Sequence, residues 1–344
     1  MGVALSKILT SKEVSLEVFS GKVIAVDAMN MLYQFITTIR QQDGTPLKDS
    51  SGNITSHLTG LFSRCTKLME KNIRLVFVFD GEASELKKKE RERREKLKEE
   101  AHSKLIEAKK ERDLAEMKRL SQRTARITSQ MIAESKELLK GLGIPCVQAK
   151  SEGEAQAAYM VLKGDCDYVA SQDFDCLIYG APQFVKNLSI SHKKKKINVL
   201  TYEQVKPEVY NLSNVLKHLE LSLNQLRALA ILIGTDFNVG GVKGLGPKKA
   251  LKLVHECGEN LEEIFSKANY NEFFQTPWQE VYELISNMPI YEDYVLEWGD
   301  VNKEEVIRIL VDEHDFSKER VENKLEELEK QKTKSQQTSL GKFF

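Results

Sequence analysis

The stretch "SEGEAQAAYMVLKGDCDYVASQDFD", residues 151–175, decides how this chain folds. The Ala-rich apolar run after Glu154 has helical length, and "DYVASQD" (167–173) has the composition of a buried strand. Glu152 and Glu154 stand at the mouth of the helical run. Asp173 and Asp175 close the strand-like one. Like charges gather at the end of a buried element only where something neutralises them.

Working outward, two more apolar runs end in aspartate: "KVIAVD" at Asp27 and "IRLVFVFD" at Asp80. A fourth run, "GIPCVQA" (143–149), leads into Glu152. Near-continuous apolar strands separated by helical stretches predict an α/β fold, with a central, mostly parallel twisted sheet covered by helices on both faces. Ligands of such open sheets bind beyond the carboxyl ends of the strands. The strand-end acids and the glutamate pair are therefore expected to meet along one edge.

Composition sets the surroundings. Of the 344 residues, 30% are charged and 41% hydrophobic, and the formal net charge is +0. The average hides an asymmetry: residues 86–126 hold sixteen Lys and Arg against nine acids, residues 291–330 six against fourteen. The basic stretch follows Asp80 and reads as a long charged helical arm over the acidic edge, suited to clamping a polyanion. Within it Glu90 and Arg94 are spaced as a surface i,i+4 pair. Five scattered cysteines without a CxxC pair read as reduced thiols of an intracellular protein. No apolar stretch approaches the roughly 20 residues of a membrane span, and no signal-peptide core is seen at the N-terminus. "FVKNLSISHKKKKINVLTYEQV" reads as a hairpin with a basic turn at Lys193–Lys196.

Asp27, Asp80, Glu152, Glu154, Asp173, Asp175 and Asp236 are seven candidate ligands with no His or Cys at ligand spacing. All-oxygen donors suit hard cations, Mg²⁺ or Mn²⁺, and disfavour zinc. Mg²⁺ takes few carboxylates directly, so the set points to two ions, about 3.5–4 Å apart in sites that catalyse phosphoryl displacement. At a strand end Asp173 and Asp175 face one side. Glu152 and Glu154 converge only if they straddle a helix start, where the dipole tolerates anions.

"GVKGLGPKKALKLV" places Gly244 and Gly246 in a turn, Pro247 at a helix start, and Lys248 and Lys249 just inside it. Such a turn admits phosphate to backbone N–H groups, as in a helix-hairpin-helix that grips duplex without reading bases.

In order and spacing, "MGV", "VDAMNMLYQF", "VFVFDG", "EGEAQAAY", "SQDFD", "IGTDFN", the glycine-rich hairpin and the terminal "QTSLGKFF" resemble the flap structure-specific endonucleases, the PIN-like 5′-nuclease superfamily in its archaeal and eukaryotic replicative branch. The resemblance covers nearly the whole chain; it departs in being acidic at Glu82 and Glu85. It implies one nuclease domain over 1–330: an N-terminal region to about 100, a helical arch over about 84–130, an internal region over about 120–260 and the helix-hairpin-helix over 234–254. A flexible tail, 331–344, follows. It implies cleavage of 5′ flaps and a 5′→3′ exonuclease in Okazaki-fragment maturation and repair, with two Mg²⁺ on the seven acids. Lys87 and Arg94 match arch residues that engage the scissile phosphate, Tyr33 a stacking aromatic, and Arg40 a nearby substrate contact. Gln337, Leu340, Phe343 and Phe344 match a box that binds a sliding clamp of the proliferating cell nuclear antigen type. The expected partners are flap, nicked or gapped DNA and the clamp, for a monomer without membrane attachment. It would sit in the nucleoid of an archaeal cell or the nucleus of a eukaryotic one. Two other readings compete: a phosphomonoesterase using "DFD" as nucleophile, and a non-catalytic junction binder.

Overall fold

Why the strand runs are apolar throughout becomes plain from where their side chains go. The computed structural model describes residues 3–111, 114–188, 193–195 and 202–340. In it Ile24 and Val26 enter one core and Ala25 the other, and Leu75, Phe77 and Phe79 oppose Val76 and Val78. With helices on both faces, neither set can be polar. Each large side chain so buried contributes about 1.5–3 kcal/mol.

The described strands are β1 (Lys12–Glu13), β2 (Val23–Asp27), β3 (Arg74–Phe79), β4 (Cys146–Gln148), β5 (Tyr168–Ala170), β6 (Gln183–Lys186), β7 (Lys193–Lys195), β8 (Tyr202–Gln204) and β9 (Glu208–Asn211). Seven form one sheet in the order β1-β9-β6-β5-β2-β3-β4. The five strands from β6 to β4 are mutually parallel, and β9 and β1 add an antiparallel edge. From β2 the chain proceeds outward to β3 and β4, then returns to β5 on β2's other side. The strand order thus reverses between β2 and β5, and a crevice opens beyond their carboxyl ends.

One face is covered by α1 (Ala28–Thr38), α2 (Ser56–Met69) and, later in the chain, α5 (Ser129–Gly141). Between them, α3 (Lys88–Glu111) and α4 (Leu114–Arg123) make a helical hairpin where the charged arm was expected. Ala101, Leu105 and Ala108, spaced i, i+4, i+7, pack on Leu120 and Met117, and this small apolar seam closes it.

The other face carries α6 (Gly153–Leu162), α7 (Asp175–Ile178), α8 (Leu212–Leu219), α9 (Leu223–Ile233), α10 (Pro247–Cys257), α11 (Leu261–Lys267), α12 (Tyr270–Phe273) and α13 (Trp278–Ser286). After α14 (Lys303–Ile307), the last helix, α15 (Lys318–Leu340), returns Val321 and Leu325 to the first face.

Three expectations are adjusted. The lysines expected in a basic turn lie in strand β7, paired with β8 from Lys193↔Gln204 to Lys195↔Tyr202, while Lys196 is outside the described residues. Asp173 lies in the turn after β5, which ends at Ala170, and Asp175 opens α7, so strand alternation does not bring the two together. The tail is helical to Leu340, because extending a formed helix with Lys and Gln is cheaper than starting one. Gln337 and Leu340 fall in that helix; Phe343 and Phe344 are outside the described residues.

Candidate active site

Asp27 ends β2 and caps α1: its Oδ1 accepts the Asn30 N–H at 3.0 Å. Its other oxygen lies 3.1 Å from the Ser171 hydroxyl, which is also 2.8 Å from Glu154 Oε1. Asn30 turns its side chain across the switch point, donating to Asp173 Oδ2 at 3.1 Å and accepting from the Gln172 N–H at 3.2 Å. Acids from β2, α6 and the β5–α7 turn are thereby tied by two neutral side chains. Asp175 joins from α7 and accepts the Val3 N–H at 2.7 Å, which fixes the N-terminal segment beneath the site. Glu152 is the N-cap of α6 and Glu154 lies in its first turn, so the pair does straddle a helix start. Gly153 between them donates its N–H to Asp80 at 2.8 Å.

Electrostatics follows from this crowding. Burial first, and repulsion from Asp80 second, push Asp27 up to about 7. Burial likewise raises Asp175 to about 7, against the pull of the Val3 N–H. Glu154 is pushed well above the usual carboxylate range by burial and then by Asp175, Asp27 and Asp173. These acids hold charge together only beside a cation.

Two basic side chains of the arm reach in from above. Lys87 is ion-paired with Glu152 and lies 3.5 Å from Asp236. Burial disfavours its charge, but Glu152 and Asp236 outweigh that and hold the ammonium protonated. Arg94 Nη2 donates to both oxygens of Asp236, at 2.7 and 2.9 Å. The two residues expected to engage phosphate therefore stand on two expected metal ligands. Among the described residues, no three acidic, His or Cys side chains are already set at ligand spacing. Glu152 and Asp236 instead carry the ion pairs with the arm.

Tyr33 is exposed on α1, on the helix that Asp27 caps. Arg40 faces the arm: it donates to the Ile36 and Gly44 carbonyls at 2.9 and 2.8 Å and to the Ser121 hydroxyl. The glycine-rich loop joins α9 to α10, with Gly246 as N-cap and Pro247 at the helix start. Gly244 has φ +88°, which a residue with a Cβ rarely adopts. Lys248 and Lys249 are exposed in the first turn of α10. Sequence reasoning missed Ser171 and Asn30. The available signals were short polar residues next to candidate ligands: Ser171 two before Asp173, Asn30 three after Asp27.

Oxygen-only acids at a topological switch point, roofed by a basic helical hairpin, suit phosphodiester cleavage on a polyanion. The architecture is that of the structure-specific 5′ nucleases. The XPG N-terminal domain matches residues 1–101 and the XPG I-region residues 143–236. The chain is 46% identical to Flap endonuclease 1 of Pyrococcus furiosus over 344 residues, covering 100% of this chain and 99% of that protein. The structure of flap endonuclease-1 from Methanococcus jannaschii superposes with a TM-score of 0.76 at 38% identity, covering 97% of this chain and 100% of that one. The catalytic core of Rad2 in complex with DNA substrate gives 0.69 at 27% identity, with 95% and 100% covered. The chain belongs to the flap endonuclease 1 family of the 5′-nuclease superfamily, and its activity is structure-specific flap endonuclease. The phosphomonoesterase and non-catalytic readings fall with that assignment. Among the described residues, no helix is long and apolar enough to cross a membrane.

Proposed function

We propose that this endonuclease cuts 5′ flaps at the junction of single and double strand using two Mg²⁺ ions, with Mn²⁺ able to substitute. Asp27, Asp80, Glu152, Glu154, Asp173, Asp175 and Asp236 would hold them. The donor set fits: it is all oxygen, and burial raises Asp27, Glu154 and Asp175, a penalty that a bound cation would offset. When bound, such ions supply charge stabilisation to the attacking and leaving oxygens.

The chain's own part is to bring the phosphodiester to that crevice and shield its charge. Lys87 and Arg94 exchange their carboxylate partners for the scissile phosphate, Arg94 offering a planar fork of donors to two phosphate oxygens. Tyr33 offers an exposed ring against which a base near the junction stacks. Arg40 braces α1 against the arm and contacts the substrate backbone beside it. Gly244 and Gly246 let a duplex phosphate approach backbone N–H groups, and Lys248 and Lys249 add charge there. The single strand passes beneath the α3–α4 hairpin.

On this reading the enzyme also degrades 5′→3′ and acts on nicked and gapped duplexes, in Okazaki-fragment maturation and repair. It works as a monomer tethered to a sliding clamp of the proliferating cell nuclear antigen type by Gln337, Leu340, Phe343 and Phe344. Leu340, Phe343 and Phe344 are apolar anchors that suit a hydrophobic pocket on a partner. Archaeal relatives favour a nucleoid over a nuclear setting.

The observation that carries the reading is the tying of Asp27, Glu154 and Asp173 by Ser171 and Asn30 at one crevice. The test is Asp175→Ala on a 5′-flap duplex with Mg²⁺, with product ends mapped. Cleavage at the junction should slow by at least about a hundredfold. Full retained cleavage would defeat the metal assignment, and products cut far from the junction would defeat the proposed site of cleavage.

A further inference from the structure

Glu90 lies in the first turn of α3 and is 3% exposed, although its neighbours Arg91 and Glu92 point to solvent. An enclosed carboxylate is unfavourable unless it is paired, and Glu90 is paired twice. Arg93 grips it side-on, Nε to Oε2 at 2.7 Å and Nη2 to Oε1 at 2.9 Å. Arg94 donates Nε to Oε1 at 2.6 Å.

The second bond has a functional consequence that a surface i,i+4 pair lacks. Arg94 is bound at two points along one edge: Nε on Glu90, Nη2 on Asp236. Asp236 belongs to the loop after α9 and to the carboxylate crevice; Glu90 belongs to the same rigid helix as Arg94. If the Asp236 contact is given up for a phosphate, the Glu90 contact is the one that travels with the helix. It sets the plane of the guanidinium and keeps its Nη groups turned toward the crevice. Without it a long, many-rotamer side chain must find that orientation at each turnover.

We propose that Glu90 is a positioning residue for flap cleavage, aiming the Arg94 guanidinium at the phosphate. The inference rests on the role given to Arg94 above, and the experiment separates the two. Single-turnover cleavage of a 5′-flap duplex is measured at saturating protein with Mg²⁺ for the parent, Glu90→Ala, Glu90→Gln, Arg94→Ala and the Glu90→Ala/Arg94→Ala double variant. DNA affinity is measured in Ca²⁺, and thermal melting checks folding.

Misplacing a reacting partner by about 1 Å costs on the order of a hundredfold, so Glu90→Ala should slow cleavage by about tenfold to a hundredfold. Its DNA affinity should stay within about twofold of the parent's, and Glu90→Gln, which keeps an acceptor oxygen, should recover part of the rate. The double variant should match Arg94→Ala, because Glu90 then has nothing left to aim. A parent-like rate in Glu90→Ala, beside a slow Arg94→Ala, overturns the proposal. An equal further loss in the Arg94→Ala background overturns it too, since Glu90 then acts elsewhere. A parent-like rate in Arg94→Ala instead sinks the role assigned to the arginine. If Glu90→Ala does not fold, Glu90→Gln carries the same comparison, with its loss expected to vanish once Arg94 is absent.

Discussion

Removing the Arg94 guanidinium should tighten divalent-cation binding in the absence of DNA. Arg94 Nη2 lies 2.7 and 2.9 Å from the two Asp236 oxygens, so a cation entering there competes with a charge already in place. Unit charges about 4 Å apart interact by about 4 kcal/mol at an effective dielectric of about 20. The arginine side chain is 39% exposed, so solvent and reduced side-chain freedom bring the net to about 1–2 kcal/mol. At about 1.4 kcal/mol per tenfold, Arg94→Ala should bind Mn²⁺ about five- to thirtyfold more tightly. The free Mn²⁺ resonance signal titrated against protein reads this directly, with Mg²⁺ calorimetry as a check. The difference should shrink as ionic strength rises from about 0.02 to about 0.5 M, because exposed charge is screened. Equal or weaker Mn²⁺ binding in the variant would show that arm and cation do not share Asp236, and would refute the competition.

Three further outcomes are expected. Leu120, 1% exposed, closes the α3–α4 seam on Leu105. Leu120→Ser should speed amide exchange across the hairpin and slow flap cleavage while leaving the global melting temperature nearly unchanged, because that seam is separate from the two main cores. Replacing Lys248 and Lys249 together by Ala should weaken flap binding and reduce the slope of log affinity against log salt by about one for each phosphate no longer neutralised. Asp49 is held at about 2, burial pushing it up but hydrogen bonds from His314 and Asn53 prevailing. Its unfolded form binds the proton first, so its stabilisation is complete above about pH 4 and is lost as pH falls toward 2. Acid titration of melting should therefore be steeper for the parent than for Asp49→Asn across that window.

Much of this site was legible because its signals are local. β-Branched runs ending at Asp27 and Asp80 declare strands without reference to the rest of the chain, and in a parallel sheet their ends must share one edge. Glu152 and Glu154 could share a site only astride a helix start, and that is where they stand. The glycine-rich turn with Pro247 and two lysines announced the α9–α10 unit by residue type alone. These features depend on backbone preference and on periodicity over a few residues, which composition encodes directly.

Tertiary packing alone decided the rest. The antiparallel edge of β9 and β1 pairs residues almost 200 positions apart, and no local pattern specifies such a register. Ser171 becomes a bridge between Asp27 and Glu154 only because β5 packs beside β2 below the start of α6. Asp173 moved from strand to turn when β5 stopped at Ala170. The family resemblance singled out Lys87 and Arg94 in the sequence; the docking of the arm set them on Glu152 and Asp236. Charge can be counted along a chain, but which opposite charge it meets depends on distances that arise only when separate elements pack.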